Sequence, residues 1–186
     1  MIKKIWHKTL IASIMVLISS SAYAAGGYVG ILGGGNIANV ANTFESDSNT
    51  KTTPAIGVKV GAKIIPELGL GFYGSYVSQS NSTSVFGLTA GTKTKTYYLT
   101  GEVNFFLLIF HAGVNLGVAI TTWSADFENV TTSSSNTALV YGPEVGFDIP
   151  IIPNLVSLGG EAHYLLTSKS DGVNNLQVLG AVKVWF

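Results

Sequence analysis

The sequence predicts an all-β chain: a single antiparallel, up-and-down barrel of eight transmembrane strands. Three observations lead there. Charged residues make up 11 % of the chain and hydrophobic ones 47 %, whereas soluble domains carry roughly 25 % charged residues, so an apolar medium must cover much of the surface. Past the first two dozen residues, no segment approaches the roughly 18 uninterrupted apolar residues of a membrane helix. What recurs instead is an alternation of apolar and small or polar residues, the pattern of strands that show lipid one face only.

The first 24 residues stand apart from that pattern. Lys3, Lys4 and Lys8 form a basic start, Leu10 to Ile18 an apolar run, and Ala22-Tyr23-Ala24 a small-residue exit. This is the form of a secretory leader, with cleavage expected before Ala25. Residues 25–186 are then expected to make one barrel domain. Without the three leader lysines, seven Lys face ten Asp plus Glu, a formal charge of −3, and arginine is absent. Nucleic-acid partners are not expected of such a chain, because their recognition needs clustered cations. Cysteine is also absent, so neither disulfides nor thiolate ligands enter the fold.

Eight strand segments follow, at 27–38, 54–64, 68–79, 94–106, 111–122, 137–149, 155–167 and 175–186. The first carries Gly33-Gly34-Gly35; no Lys-Ser/Thr or helical pattern follows, so the run suits tight packing inside a barrel and not a phosphate loop. In the second, Ile56, Val58, Val60, Ala62 and Ile64 share one face and Gly57, Lys59, Gly61 and Lys63 the other. The third is glycine-rich and apolar, and the fourth places Glu102 and Asn104 inward. In the fifth, Ala112, Val114, Leu116, Val118 and Ile120 face out, with His111, Gly113, Asn115, Gly117 and Ala119 in. The sixth puts Leu139, Tyr141, Val145, Phe147 and Ile149 out, and Gly142, Glu144, Gly146 and Asp148 in. The seventh turns Ser157, Glu161 and His163 inward, and the eighth Lys183. Charged residues thus share their face with glycines, as a narrow lumen requires.

Loop lengths alternate in step with this count. The stretches 39–53, 80–93, 123–136 and 168–174 are expected to be long polar outer loops, and 65–67, 107–110 and 150–154 short turns on the opposite side. Aromatic residues near strand ends, among them Tyr28, Phe72, Tyr97, Phe105, Phe106, Phe110, Trp123, Tyr141, Phe147, Trp185 and Phe186, are expected at the lipid–water boundary.

The last segment ends in Phe186, with Val184, Val182, Val178 and Leu176 at alternate positions before it and Gly180 as a weak member. It resembles the C-terminal signal of outer-membrane barrels, and with the leader and the strand count the chain resembles the small eight-stranded class that includes the OmpA transmembrane domain and OmpX. The resemblance implies an outer-membrane location in a Gram-negative cell envelope. It also implies contact with outer-membrane lipid and lipopolysaccharide, and insertion by the barrel-assembly machinery with Val182, Val184 and Phe186 as the signal. Two departures are visible: no peptidoglycan-binding domain is expected, and the arginine–glutamate pairs common in that class have no arginine here.

The inward charges are expected to form a structural network, with Lys59, Lys63 and Lys183 paired to carboxylates drawn from Glu102, Glu144, Asp148 and Glu161. A lone buried charge costs several kcal/mol, and a hydrogen-bonded partner offsets much of that. Lys183 should meet Glu161 on the neighbouring strand, while Lys59 and Lys63 reach across the interior. Ser157, Glu161 and His163 share a parity but point into a narrow lumen, and no metal set stands out, so no catalytic residue, metal or cofactor is expected. The function expected is non-enzymatic, a monomer with a structural or surface-interaction role through four polar outer loops. A narrow ion or small-solute channel is the alternative, and a lipid-modifying enzyme a third reading.

Overall fold

The structure, a computed structural model, describes residues 26–38, 52–85, 88–127, 130–168 and 174–186. The leader expected at 1–24, its cleavage site, and most of the loops expected at 39–53 and 168–174 lie outside the described residues. Eight strands follow in chain order: β1 (Gly27–Ala38), β2 (Thr52–Ile65), β3 (Leu68–Val85), β4 (Leu88–Leu107), β5 (Phe110–Phe127), β6 (Val130–Ile152), β7 (Val156–Thr167) and β8 (Asn175–Trp185). Each pairs antiparallel with the next, and β1 pairs with both β2 and β8, which closes the barrel. Closure leaves no sheet edge within the lipid, where an unpaired N–H or C=O would be costly.

Side-chain parity sets the two faces. In β2 residues 53 to 60 alternate strictly between buried and exposed, with Thr53, Ala55, Gly57 and Lys59 inside and Pro54, Ile56, Val58 and Val60 outside. The outward apolar residues of β4 run from Tyr97 to Leu107. Ten residue steps at about 3.4 Å each, tilted by about 40°, give a band about 26 Å tall, the height expected of a lipid-facing belt. At its outer margin Tyr76 and Tyr97 pack ring to ring across β3 and β4, with centroids 5.0 Å apart.

The inner face needs glycine where strands and lumenal side chains crowd. At Gly142 a Cβ would lie 1.7 Å from the Tyr164 carbonyl oxygen, and φ there is +159°. At Gly61 it would lie 2.6 Å from the Tyr28 ring. The turns opposite the long loops are tight: Pro66–Glu67, Leu108–Ile109 and Pro153–Leu155. Leu108 and Asn154 take positive φ there, 58° and 59°.

Two of the expected loops are strands instead. The β3–β4 ladder continues through 80–93 to the pair Val85 and Leu88, and the β5–β6 ladder through 123–136 to Phe127 and Val130. Both stretches are polar, rich in Ser and Thr, and polarity reads as a loop; yet threonine suits an extended chain, and an exposed two-faced hairpin needs no apolar side. The expected aromatic boundary also needs correction. Tyr28 and Phe106 are buried in the lumen, Trp185 packs on Tyr28 there with centroids 4.9 Å apart, and Trp123 lines the outer mouth. Their parity, not their position near strand ends, decides their side.

Candidate functional site

The barrel interior is layered, and β4 shows the order. Its inward residues from the outer end are Thr94 and Thr96 at the mouth, then Tyr98, Thr100, Glu102 and Asn104, and finally Phe106 near the inner turns. Tyr98 belongs to an apolar belt with Leu32, Ala55, Tyr73, Val77, Ala119, Val140, Leu165, Leu179 and Ala181, to which every strand contributes. Below the belt lies the charged cluster.

Lys59 on β2 is the centre of that cluster. Its Nζ stands 3.0 Å from Glu102 Oε2, 3.0 Å from Glu144 Oε1 and 3.0 Å from Glu161 Oε2, so carboxylates from β4, β6 and β7 meet one ammonium. All four side chains are at most 1 % exposed. An ammonium has three donors and no acceptor, and three carboxylates match it. His163 lies between two of them, its Nδ1 3.2 Å from Glu144 Oε2 and its Nε2 2.9 Å from Glu161 Oε2. Asn115 Nδ2 donates to Glu144 Oε2 at 3.0 Å, and Thr100 Oγ1 donates to Asn115 Oδ1 at 3.1 Å. Tyr73 stacks on the His163 ring, centroids 4.3 Å apart, and its hydroxyl donates to Gln177 Oε1, tying the cluster to the belt above.

Lys183 closes the lower side. Its Nζ lies 2.6 Å from Glu161 Oε1 and 2.9 Å from Asp148 Oδ2. His111 sits between the same two carboxylates at 3.6 and 3.4 Å. Lys63 does not join: among the described residues no carboxylate is within ion-pair reach of it, and its Nζ instead stands over the Phe106 and Trp185 rings at 4.5 and 5.1 Å. The expected carboxylate partner of Lys63 is thus replaced by two aromatic faces. Parity places a residue in the lumen but not at a height in it, and Lys63 is two inward positions nearer the inner end than Lys59.

Two other arrangements are decided by the same geometry. Donor atoms of Glu102, Glu144 and His163 come within 4.8 Å of one another, a spacing suited to a metal ion. The Lys59 ammonium stands at 3.0 Å from both carboxylates and takes the place a cation would hold. Ser157 and His163 share the inner face of β7 but are six residues apart, about 20 Å along a strand. Ser157 Oγ accepts from Trp185 Nε1 at 3.0 Å instead. The sequence missed Tyr73, Gln177 and Thr100 as members of the network; their parity, counted from the neighbouring glycines, was the available signal.

A closed eight-stranded barrel with an apolar belt outside and a charge-filled, belt-capped lumen defines the class of small outer-membrane β-barrels. Residues 9–183 match the outer membrane protein β-barrel domain family, and the chain belongs to that family; it is an outer-membrane protein of the Gram-negative envelope. Among solved structures it resembles Ail, the attachment invasion locus protein of Yersinia pestis, in its complex with the heparin analogue sucrose octasulfate. That match has 17 % identity and a TM-score of 0.62, over 86 % of this chain and 97 % of that one. It also resembles neisserial surface protein A, at 17 % identity and a TM-score of 0.56, over 88 % of this chain and 99 % of that one. At such identity the likeness is one of fold. No curated protein sequence matches the chain.

Proposed function

We propose that the protein is a non-enzymatic surface-interaction barrel, whose filled lumen serves as a rigid core and whose outer strands and loops meet partners outside the cell. The observation that carries this reading is the length of the central hairpins. β2 pairs with β3 only as far as Ala55 and Val77, whereas β3 and β4 stay paired out to Val85 and Leu88. On the other side β6 pairs with β7 only from Val140 inward, while β5 and β6 stay paired to Phe127 and Val130. The joined outer halves of β3, β4, β5 and β6 therefore form a four-stranded sheet beyond the barrel rim. Eight further residues per strand extend it by about 25 Å along the strands.

Among the described residues, the outer halves of β3 and β6 pair with one strand of this sheet each and form its two edges, and a sheet edge is a template on which an extended segment of another chain adds. The attachment role printed in the name of Ail and the surface location in that of neisserial surface protein A support the same reading. Lipid and lipopolysaccharide are the partners of the outer belt, the barrel-insertion machinery is the partner during assembly, and the working unit is a monomer. Residues 1–24 serve as the cleaved export signal. The channel alternative would require ions to pass both the apolar belt and the Lys59 cluster.

The test joins Gln79 to Thr94 and Trp123 to Ser134 through Asn-Gly turns, which removes the projecting sheet and keeps the barrel. Bacteria displaying the intact protein should adhere to cultured epithelial cells at least tenfold better than bacteria displaying the trimmed form at equal surface level. Equal adherence of the two strains would overturn the reading.

A further inference from the structure

We propose that the outer mouth of the lumen is a binding site for an uncharged saccharide. Above the apolar belt the barrel opens into a cavity of about 390 Å³, floored by Val77, Tyr98 and Ala119, a volume within the roughly 300–1,000 Å³ of small-ligand sites. Among the described residues its lining holds no Asp, Glu, Lys or His. The described lining thus leaves nothing to compensate an anion or a cation stripped of water, unlike the Lys59 cluster below the belt.

What the lining offers is hydroxyls, carboxamides and one open aromatic face. Trp123, 42 % exposed, stands at the wall with its indole bordering the cavity. An indole surface accommodates the apolar C–H face of a sugar ring, and the surrounding hydroxyls and amides both donate and accept, as sugar hydroxyls do.

Two polar atoms sharpen the choice. Asn36 is 3 % exposed, and its Nδ2 donates to Asn175 Oδ1 at 3.0 Å. Its Oδ1 is buried with no partner. Thr167 Oγ1 is likewise buried without a partner, and both residues line the cavity. An unmet buried acceptor is costly, and an O–H or N–H donor, from water or from a ligand, satisfies Asn36 Oδ1. A carboxylate or sulfate group has no donor to give, and an ammonium would find no countercharge among the described lining residues. A neutral hydroxyl fits both atoms.

The sugar has two possible sources, a soluble glycan outside the cell or the neutral sugars of the cell's own surface glycolipid. The protein, purified from outer membranes in an amine-oxide detergent that carries no sugar headgroup, is titrated with maltose, lactose and cellobiose in one arm. The other arm uses neutral oligosaccharide released from the host strain's lipopolysaccharide. A saturable change in tryptophan emission at millimolar sugar is expected in at least one arm, and the arm that binds tells the source. By ligand-observed saturation-transfer NMR, Trp123→Ala and Thr167→Val should each weaken binding tenfold or more, with gel mobility of unboiled protein verifying that both variants fold. The proposal is overturned by the absence of saturable binding in both arms, by unchanged affinity in Trp123→Ala, or by glucuronic acid binding as well as glucose.

Discussion

Lys59 and Lys63 lie four residues apart on the same inward face, yet their surroundings make opposite demands. Lys59 has three carboxylates at 3.0 Å and negligible exposure. Removing its charge leaves Glu102 and Glu144 without a lysine partner and Glu161 with Lys183 alone, and breaking a buried pair from one side costs about 3–5 kcal/mol. Lys63 rests on ring faces, a contact of about 0.5–2 kcal/mol, near the inner mouth, where its flexible stem can carry the ammonium toward water. Lys59→Met is therefore expected to destabilise the barrel by at least about 3 kcal/mol, and Lys63→Met by no more than about 2 kcal/mol. Equilibrium urea unfolding of refolded protein in micelles measures both, and equal losses would refute the assignment of Lys59 as the centre.

At the scale of the element, β8 is where the chain must close on itself. Its register with β1 runs from Tyr28 opposite Trp185 to Ala38 opposite Asn175, and the Phe186 N–H donates to Gly27 O at 2.9 Å, just past the last strand residue. Val182, Val184 and Phe186 all face outward, Phe186 most of all. A side chain so open adds little to the interior of the finished barrel, so its contribution belongs to recognition during insertion. We propose that Val182, Val184 and Phe186 form the assembly signal. Deleting Phe186 should lower the amount of protein in outer-membrane fractions several-fold at native expression, while the unfolding midpoint of the protein that does insert shifts little. Unchanged assembly would show that the aromatic end is incidental.

For the whole molecule, closure and filling act together. Every strand contributes to the apolar belt, and carboxylates and cations from β2, β4, β6, β7 and β8 meet beneath it. The cross-section is thus crossed by a hydrophobic layer and a paired-charge layer in series, and an ion meets a desolvation barrier at the first and competing charges at the second. Refolded protein in a planar bilayer should show no steady single-channel conductance, and unboiled protein should migrate differently from boiled protein on a denaturing gel. Steady ion flow through wild-type protein would replace the structural reading of the lumen with that of a channel.

The strand count, the closed transmembrane class and the inward face of Lys59, Lys63, Glu102, Glu144, Asp148, Glu161 and Lys183 are legible in the sequence. All three follow from a period of two and from the rule that a lipid face is apolar, both local properties. The pairing of Lys183 with Glu161 was also legible, because β7 and β8 are adjacent in the chain. Only the tertiary structure decided that Lys59 gathers Glu102, Glu144 and Glu161 while Lys63 turns to Phe106 and Trp185, since height inside a barrel depends on the stagger between strands, which parity does not encode. It likewise decided that 80–85 pairs with 88–93 and 123–127 with 130–134: outside the membrane and away from the lumen, neither face is forced to be apolar, so the alternation that betrays a strand elsewhere is absent while the backbone pairing persists.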